Sequence, residues 1–107
     1  MSKIVSMPIW HKVNIRLVWL SGRLIAEFDI EEYTRIKEFV RMLEEGVMED
    51  NGVRKIRDRY AIALCDMGHY ELLWGTRKLE SNKYFKEYRI PDGADITLVR
   101  VGGADDG

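Results

Sequence analysis

A chain of 107 residues, 46% hydrophobic and 33% charged, has the length of one domain and is too apolar for a disordered tract. No apolar run approaches the ~20 residues that span a bilayer, and a formal net charge of −1 provides no global field toward nucleic acid. The opening MSKIVSMPIW lacks the apolar stretch and small-residue cleavage site of a secretory leader, so a cytoplasmic protein with neither membrane nor nucleic-acid partners is expected.

Residues 1–11 form an N-terminal extension, and IVSMPIW is apolar enough that partial docking on the adjoining domain is expected. Along 12–20, Val13, Ile15, Leu17 and Trp19 alternate with Lys12, Asn14, Arg16 and Val18, the period of a half-buried strand. Ser21-Gly22-Arg23 supplies a glycine for a tight reversal, and Leu24, Ala26, Phe28 and Ile30 resume the alternation, giving a β-hairpin. From Thr34 the period lengthens: Ile36, Phe39, Val40, Leu43 and Val47 fall on one helical stripe. The pattern predicts a helix over about 34–45, with Thr34 as N-cap and Gly46 as its C-terminal stop.

EDNG is loop chemistry around Asn51-Gly52, and the basic run Arg54, Lys55, Arg57, Arg59 has neither aromatic stacking partners nor a glycine-rich phosphate cradle beside it. It reads as a solvated segment. In YAIALCDMGHYELLW two apolar runs flank Met67-Gly68, which predicts strands over about 59–65 and 70–74. KLESNKYFKEY suits a short helical turn carrying Phe85 and Tyr88; PDGAD is a turn built on Pro91 and Gly93, and ITLVRV closes as the final strand.

The predicted order is ββαββ, a helical turn, then β. It makes residues 12–103 an α+β domain, a mixed sheet of about five strands with one main helix across it, because the hairpin and the helix stripe each need the other for cover. Residues 104–107 are a tail. Charge is uneven along the chain: 1–23 holds Lys3, Lys12, Arg16 and Arg23 without acids, whereas 27–50 holds nine acids against Arg35, Lys37 and Arg41.

In FKEYRIPDGADITLV an apolar residue (Phe85), a tyrosine (Tyr88) and Ile90 precede a turn and an alternating strand. On these residues 12–103 resembles the ubiquitin-like (β-grasp) family, and the prokaryotic type of modifier with a C-terminal diglycine. The resemblance implies that the Tyr88 hydroxyl bonds nearby backbone, that Ile96 and Leu98 face the core, and that Thr97 and Val99 face outward. The tail between the final strand and the glycines is about two residues shorter than in that family. FDIEEYTRIKEFVRML is also similar to the small ubiquitin-like proteins of bacterial secretion loci, which lack a diglycine end.

The resemblance implies that Gly102 and Gly103 serve conjugation, since adenylation and thioester formation occur in narrow channels that admit an extended glycine backbone. A processing peptidase would first cut after Gly103, and an adenylating enzyme, a conjugating enzyme and target proteins would be the partners. The same pair is also how a domain ends in a loose tail. The resemblance further implies a docking surface formed by the outward residues Thr97 and Val99, with Arg100, and by one alternating set of YAIALC, either Ala61 and Ala63 or Ile62 and Leu64. The other readings are a non-covalent binding or assembly protein, and an accessory subunit of a secretion or multicomponent enzyme system.

No enzyme, metal or cofactor is expected. Cys65 is the single cysteine, a structural thiol beside Asp66, and His11 and His69 have no nucleophile or ligand partner in sequence. Trp10, Trp19 and Trp74 suit core or rim. Lys78, Lys83 and Lys86 are exposed candidates for accepting another modifier.

Overall fold

The computed structural model describes residues 11–48, 51–64 and 68–103, with the backbone alone for Ala63 and Leu64. The N-terminal extension before His11, Cys65 with Asp66 and Met67, and the tail 104–107 lie outside the described residues. The described part is α+β, one mixed sheet of six strands with one main helix.

The hairpin forms as its alternation requires. Strands β1 (Lys12–Trp19) and β2 (Leu24–Glu31) pair antiparallel, and Gly22 at φ 89° closes the turn, its N–H donating to the Trp19 carbonyl at 2.8 Å. Helix α1 (Ile36–Glu45) starts two residues later than expected. Thr34 is not its cap. The N–H groups of Ile36 and Lys37 donate to the backbone carbonyls of Lys83 and Ser81, and the Glu38 carboxylate accepts from the Arg35 N–H at 2.8 Å. A distant loop thus satisfies donors that a hydroxyl would otherwise take.

At the other end Gly46 takes φ 72°, its N–H donates to Leu43 and that of Val47 to Met42, which is the Schellman closure its position suggested. That closure removes Val47 from the stripe, and Val47 is exposed while Met48 is buried.

The region after the helix departs most from expectation. Strand β3 (Val53–Ile56) carries the first part of the basic run and pairs with β2, whereas the segment expected as a strand over 59–65 is a short helix, α2 (Arg59–Leu64). The cause lies at Asp58, whose carboxylate accepts from the Ala61 N–H at 3.1 Å and whose carbonyl accepts from Ile62. Asp58 is a helix cap, and six residues then turn helically under it. Strand β4 (Gly68–Trp74) begins slightly earlier than expected, and a turn at Gly75 leads into β5 (Arg77–Lys78).

A single 3₁₀ turn, Phe85–Tyr88, sits where the sequence predicts a short helical turn, and β6 (Ala94–Gly103) is the final strand. The sheet order is β3-β2-β1-β6-β4-β5, with β1 and β6 parallel at its centre and every other pair antiparallel. Losing a strand at 59–65 and adding β3 and β5 raises the expected five to six.

The core lies between α1 and one face of the sheet. Ile15, Leu17, Phe28, Leu72, Ile96 and Leu98 meet Ile36, Phe39 and Leu43 there, each fully buried. Burying one such side chain is worth ~1.5–3 kcal/mol. Phe39 sits edge-on to both Phe28 and Phe85, with ring centroids 4.9 and 5.6 Å away, joining sheet, helix and 3₁₀ turn in one cluster. Trp19 and Trp74 pack half-buried at its rim.

Candidate functional site

Two places gather the residues singled out in the sequence: the end of β6, with the glycine pair, and the sheet face turned away from α1.

At the first, the final strand does not stop at Val101. It continues through both glycines, His69 standing opposite Gly102 and Gly68 opposite Gly103. The sequence leads one to expect glycines that project from the sheet; instead they are part of it. Gly68 makes this possible. A Cβ built on Gly68 would stand 2.7 Å from the Gly102 carbonyl oxygen and 2.7 Å from Arg100 Nε, so only glycine lets β4 approach the end of β6. Arg100 Nε also donates to that Gly102 carbonyl, at 3.3 Å. Arg100 is exposed, but the register sets it opposite buried Tyr70 and not on the outward face with Thr97 and Val99, and its side chain braces the diglycine backbone.

At the second, strand alternation turns the neighbours of each core residue outward. Leu17 and Ile96 face the helix, so Val18 and Thr97 face away, and the register lines up Leu24, Val18, Thr97 and Leu73 as one cross-strand row. The row is mainly apolar. Val18 is 4% exposed, and Leu24, Thr97 and Leu73 are half-buried. Half-buried Val99, opposite Glu71, continues it, and Leu20, 74% exposed in the hairpin turn, stands in sequence next to β1.

Charges bound the row on one side: Arg16 pairs with Asp95 at 3.1 Å and lies opposite Glu27. Thr97 and Val99 therefore lie where they were expected. Ala61 does not. It is 2% exposed within α2, part of the core, because the segment is helical and not an outward-facing strand. Ala63 and Leu64 belong to the same helix, and Ile62 packs half-buried against the core. The missed residues are Leu20, Val18 and Leu73; the alternation of β1 and of YELLW placed them opposite core positions and was the available signal.

The structural residues fit their roles. The Tyr88 hydroxyl accepts the Glu80 N–H at 2.7 Å, closing the segment before the final strand, while Phe85 and Ile90 are buried beside it. Lys78, Lys83 and Lys86 are engaged with Glu71, Glu80 and Glu32 at 2.8, 3.6 and 3.3 Å. The hydrogen bond from Lys78 to Glu71 holds that ammonium above the ordinary lysine range, and the bond from Lys86 to Glu32, aided by Tyr33, does the same there.

His11 and His69 are both exposed. Among the described residues no three His, Cys, Asp or Glu side chains gather as metal ligands, and no helix is long and apolar enough to cross a membrane. No family model and no curated protein sequence matches the chain.

Proposed function

We propose that this chain is a ubiquitin-like, β-grasp binding module that works by docking a protein partner non-covalently on its outer sheet face, as an assembly protein or an accessory subunit of a larger system. The observation that carries this reading is the apolar row Leu24, Val18, Thr97 and Leu73, continued by Val99, on a face that α1 leaves uncovered. The mixed sheet with one crossing helix, and the Tyr88 hydroxyl bonded to the Glu80 backbone, support the ubiquitin-like assignment. The resemblance of the helix region to the small ubiquitin-like proteins of secretion loci favours an assembly role in a bacterial system.

The second reading is the covalent modifier, processed after Gly103 by a peptidase and handed by adenylating and conjugating enzymes to a target. It is favoured by the position of Gly102 and Gly103 at the very end of the final strand. It ranks second because both glycines are paired to β4, so a reacting terminus would first have to peel away from His69 and Gly68. Non-covalent docking needs no such step.

The test is affinity capture of the tagged protein from cells that make it, with parallel native and denaturing washes. The docking reading expects partners that leave under denaturant, that are lost with Leu73→Asp, and that survive Gly103→Ala. A denaturant-resistant adduct, abolished by Gly103→Ala, would establish the modifier instead.

A further inference from the structure

We infer that the occupant of the outer sheet face is a second copy of this chain, related to the first by a two-fold axis that runs between β1 and β6. This rests on the docking reading of that face and adds the identity of the partner. Charges on the face are taken up in pairs of opposite sign, among them Arg16 with Asp95 at 3.1 Å, Arg57 with Glu27 at 3.0 Å and Lys78 with Glu71 at 2.8 Å. Little net charge is left to recruit an acidic or a basic partner. The selectivity of the face lies in the order of its residues.

Across β2, β1, β6 and β4 the apolar row runs Leu24, Val18, Thr97, Leu73: large, small, small, large. A half-turn about a line between the parallel strands β1 and β6 lays Leu24 on Leu73 of the second copy and Val18 on its Thr97. The neighbouring row is opposite in sign about the same line. Arg16 on β1 and Asp95 on β6 stand side by side, so the half-turn sets each against its counterpart in the other copy and closes a ring of four alternating charges. Strand β4 ends at Trp74, before it reaches this row, so Glu27 finds no β4 charge opposing it there. On the other side of the apolar row, Leu20 comes one residue after the Trp19–Leu98 pair, level with Val99, and the half-turn lays these two on each other. Leu20 is 74% exposed in the single chain, and this contact covers it. Two twisted sheets packed face to face cross at about 30°, which displaces residues little so near the axis. A face of six strands offers roughly 600 Å², against about 800 Å² per partner in a standard interface. The dimer is therefore weak and concentration-dependent.

Sedimentation equilibrium of the full chain over a wide range of concentrations tests this. The mass should double, through an association that Leu73→Asp abolishes. Arg16→Asp or Asp95→Arg alone should weaken it about tenfold, because each sets like charges against each other across the axis. Both side chains are exposed, so the variants should keep the parent's melting temperature. Mixing the two variants should restore the association, since one then carries only acids at these positions and the other only bases, and no pair within a single chain can repair the loss. Amide shifts that grow with concentration should map to β1, β6 and β4 and spare α1. A chain that stays monomeric at millimolar concentration, a mixture no more associated than its components, or shifts centred on α1 would overturn the inference. The docking reading survives those results if Leu73→Asp still releases a captured protein of another kind. If that variant releases nothing, the docking reading fails as well.

Discussion

Gly68 and Gly102 approach so closely that a methyl group on Gly68 would sit 2.7 Å from the Gly102 carbonyl oxygen. Close approach is what demands glycine there. Gly68→Ala should therefore push the end of β6 off β4, at a cost of about 1–2 kcal/mol in urea unfolding, while the core pairs Leu72 with Leu98 and Leu17 with Ile96 stay intact. Equal stability of the variant, with unchanged amide shifts at Gly102, would mean that the strands do not meet as described.

Tyr88 holds the approach to the final strand through one bond, the 2.7 Å contact in which its hydroxyl accepts the Glu80 N–H. Tyr88 is 4% exposed, so Tyr88→Phe leaves that N–H without its partner in a partly buried place. A loss of about 1–2 kcal/mol is expected from denaturant titration. An unchanged midpoint would show that the bond contributes nothing net.

Asp58 decides whether YAIAL is helix or strand. Its carboxylate takes the Ala61 N–H and also pairs with Arg23 at 3.1 Å, though Arg23 is largely exposed and adds little. Asp58→Ala should cost about 1 kcal/mol, most of it from the cap, and should loosen α2 before any other element in amide exchange. Asp58→Asn, which keeps a capping oxygen, should recover most of the loss.

How far the sequence spoke for itself can be judged from these same residues. The hairpin and α1 were legible because Val13 to Ile30 and Ile36 to Leu43 each repeat a period long enough to exclude the other, and Gly46 marked the stop. The helical turn at Phe85–Tyr88 was legible from the Tyr88 segment. α2 was not, because a short apolar run fits a buried strand or a helix equally well, and the deciding signal was the single Asp three residues before Ala61. Thr34 misled because backbone carbonyls at 81 and 83, far away in sequence, satisfy the helix start. β5 is too short to leave a pattern. The outer row was legible only in part: Thr97 and Val99 follow from alternation, but choosing Val18 and Leu73 over Ala61 needed the strand order.

Asp29 provides a pH test. Burial pushes its carboxyl up, but hydrogen bonds from Asn14 and Arg54, with the charges of Arg54 and Lys12, outweigh burial and hold it below its ordinary value of 3.8. The folded state then binds fewer protons than the unfolded state as the solution acidifies, so stability rises with pH through this range. The contribution is complete above the ordinary carboxylate value and disappears as pH falls through the lowered folded one. Unfolding midpoints measured between about pH 2 and pH 6 should slope less steeply for Asp29→Asn than for the parent. Parallel slopes would mean that Asp29 does not contribute.

Whether the glycine pair belongs to the sheet is the point on which the docking and modifier readings part, and nuclear Overhauser contacts in isotopically labelled protein measure it directly. Cross-strand contacts linking Gly68 and His69 to Gly102 and Gly103, with slowed exchange of the amides aimed at β4, are the predicted result. Free-peptide exchange at both glycines and no contact to Gly68, while Thr97–Val99 remain protected, would contradict the account and favour the modifier reading.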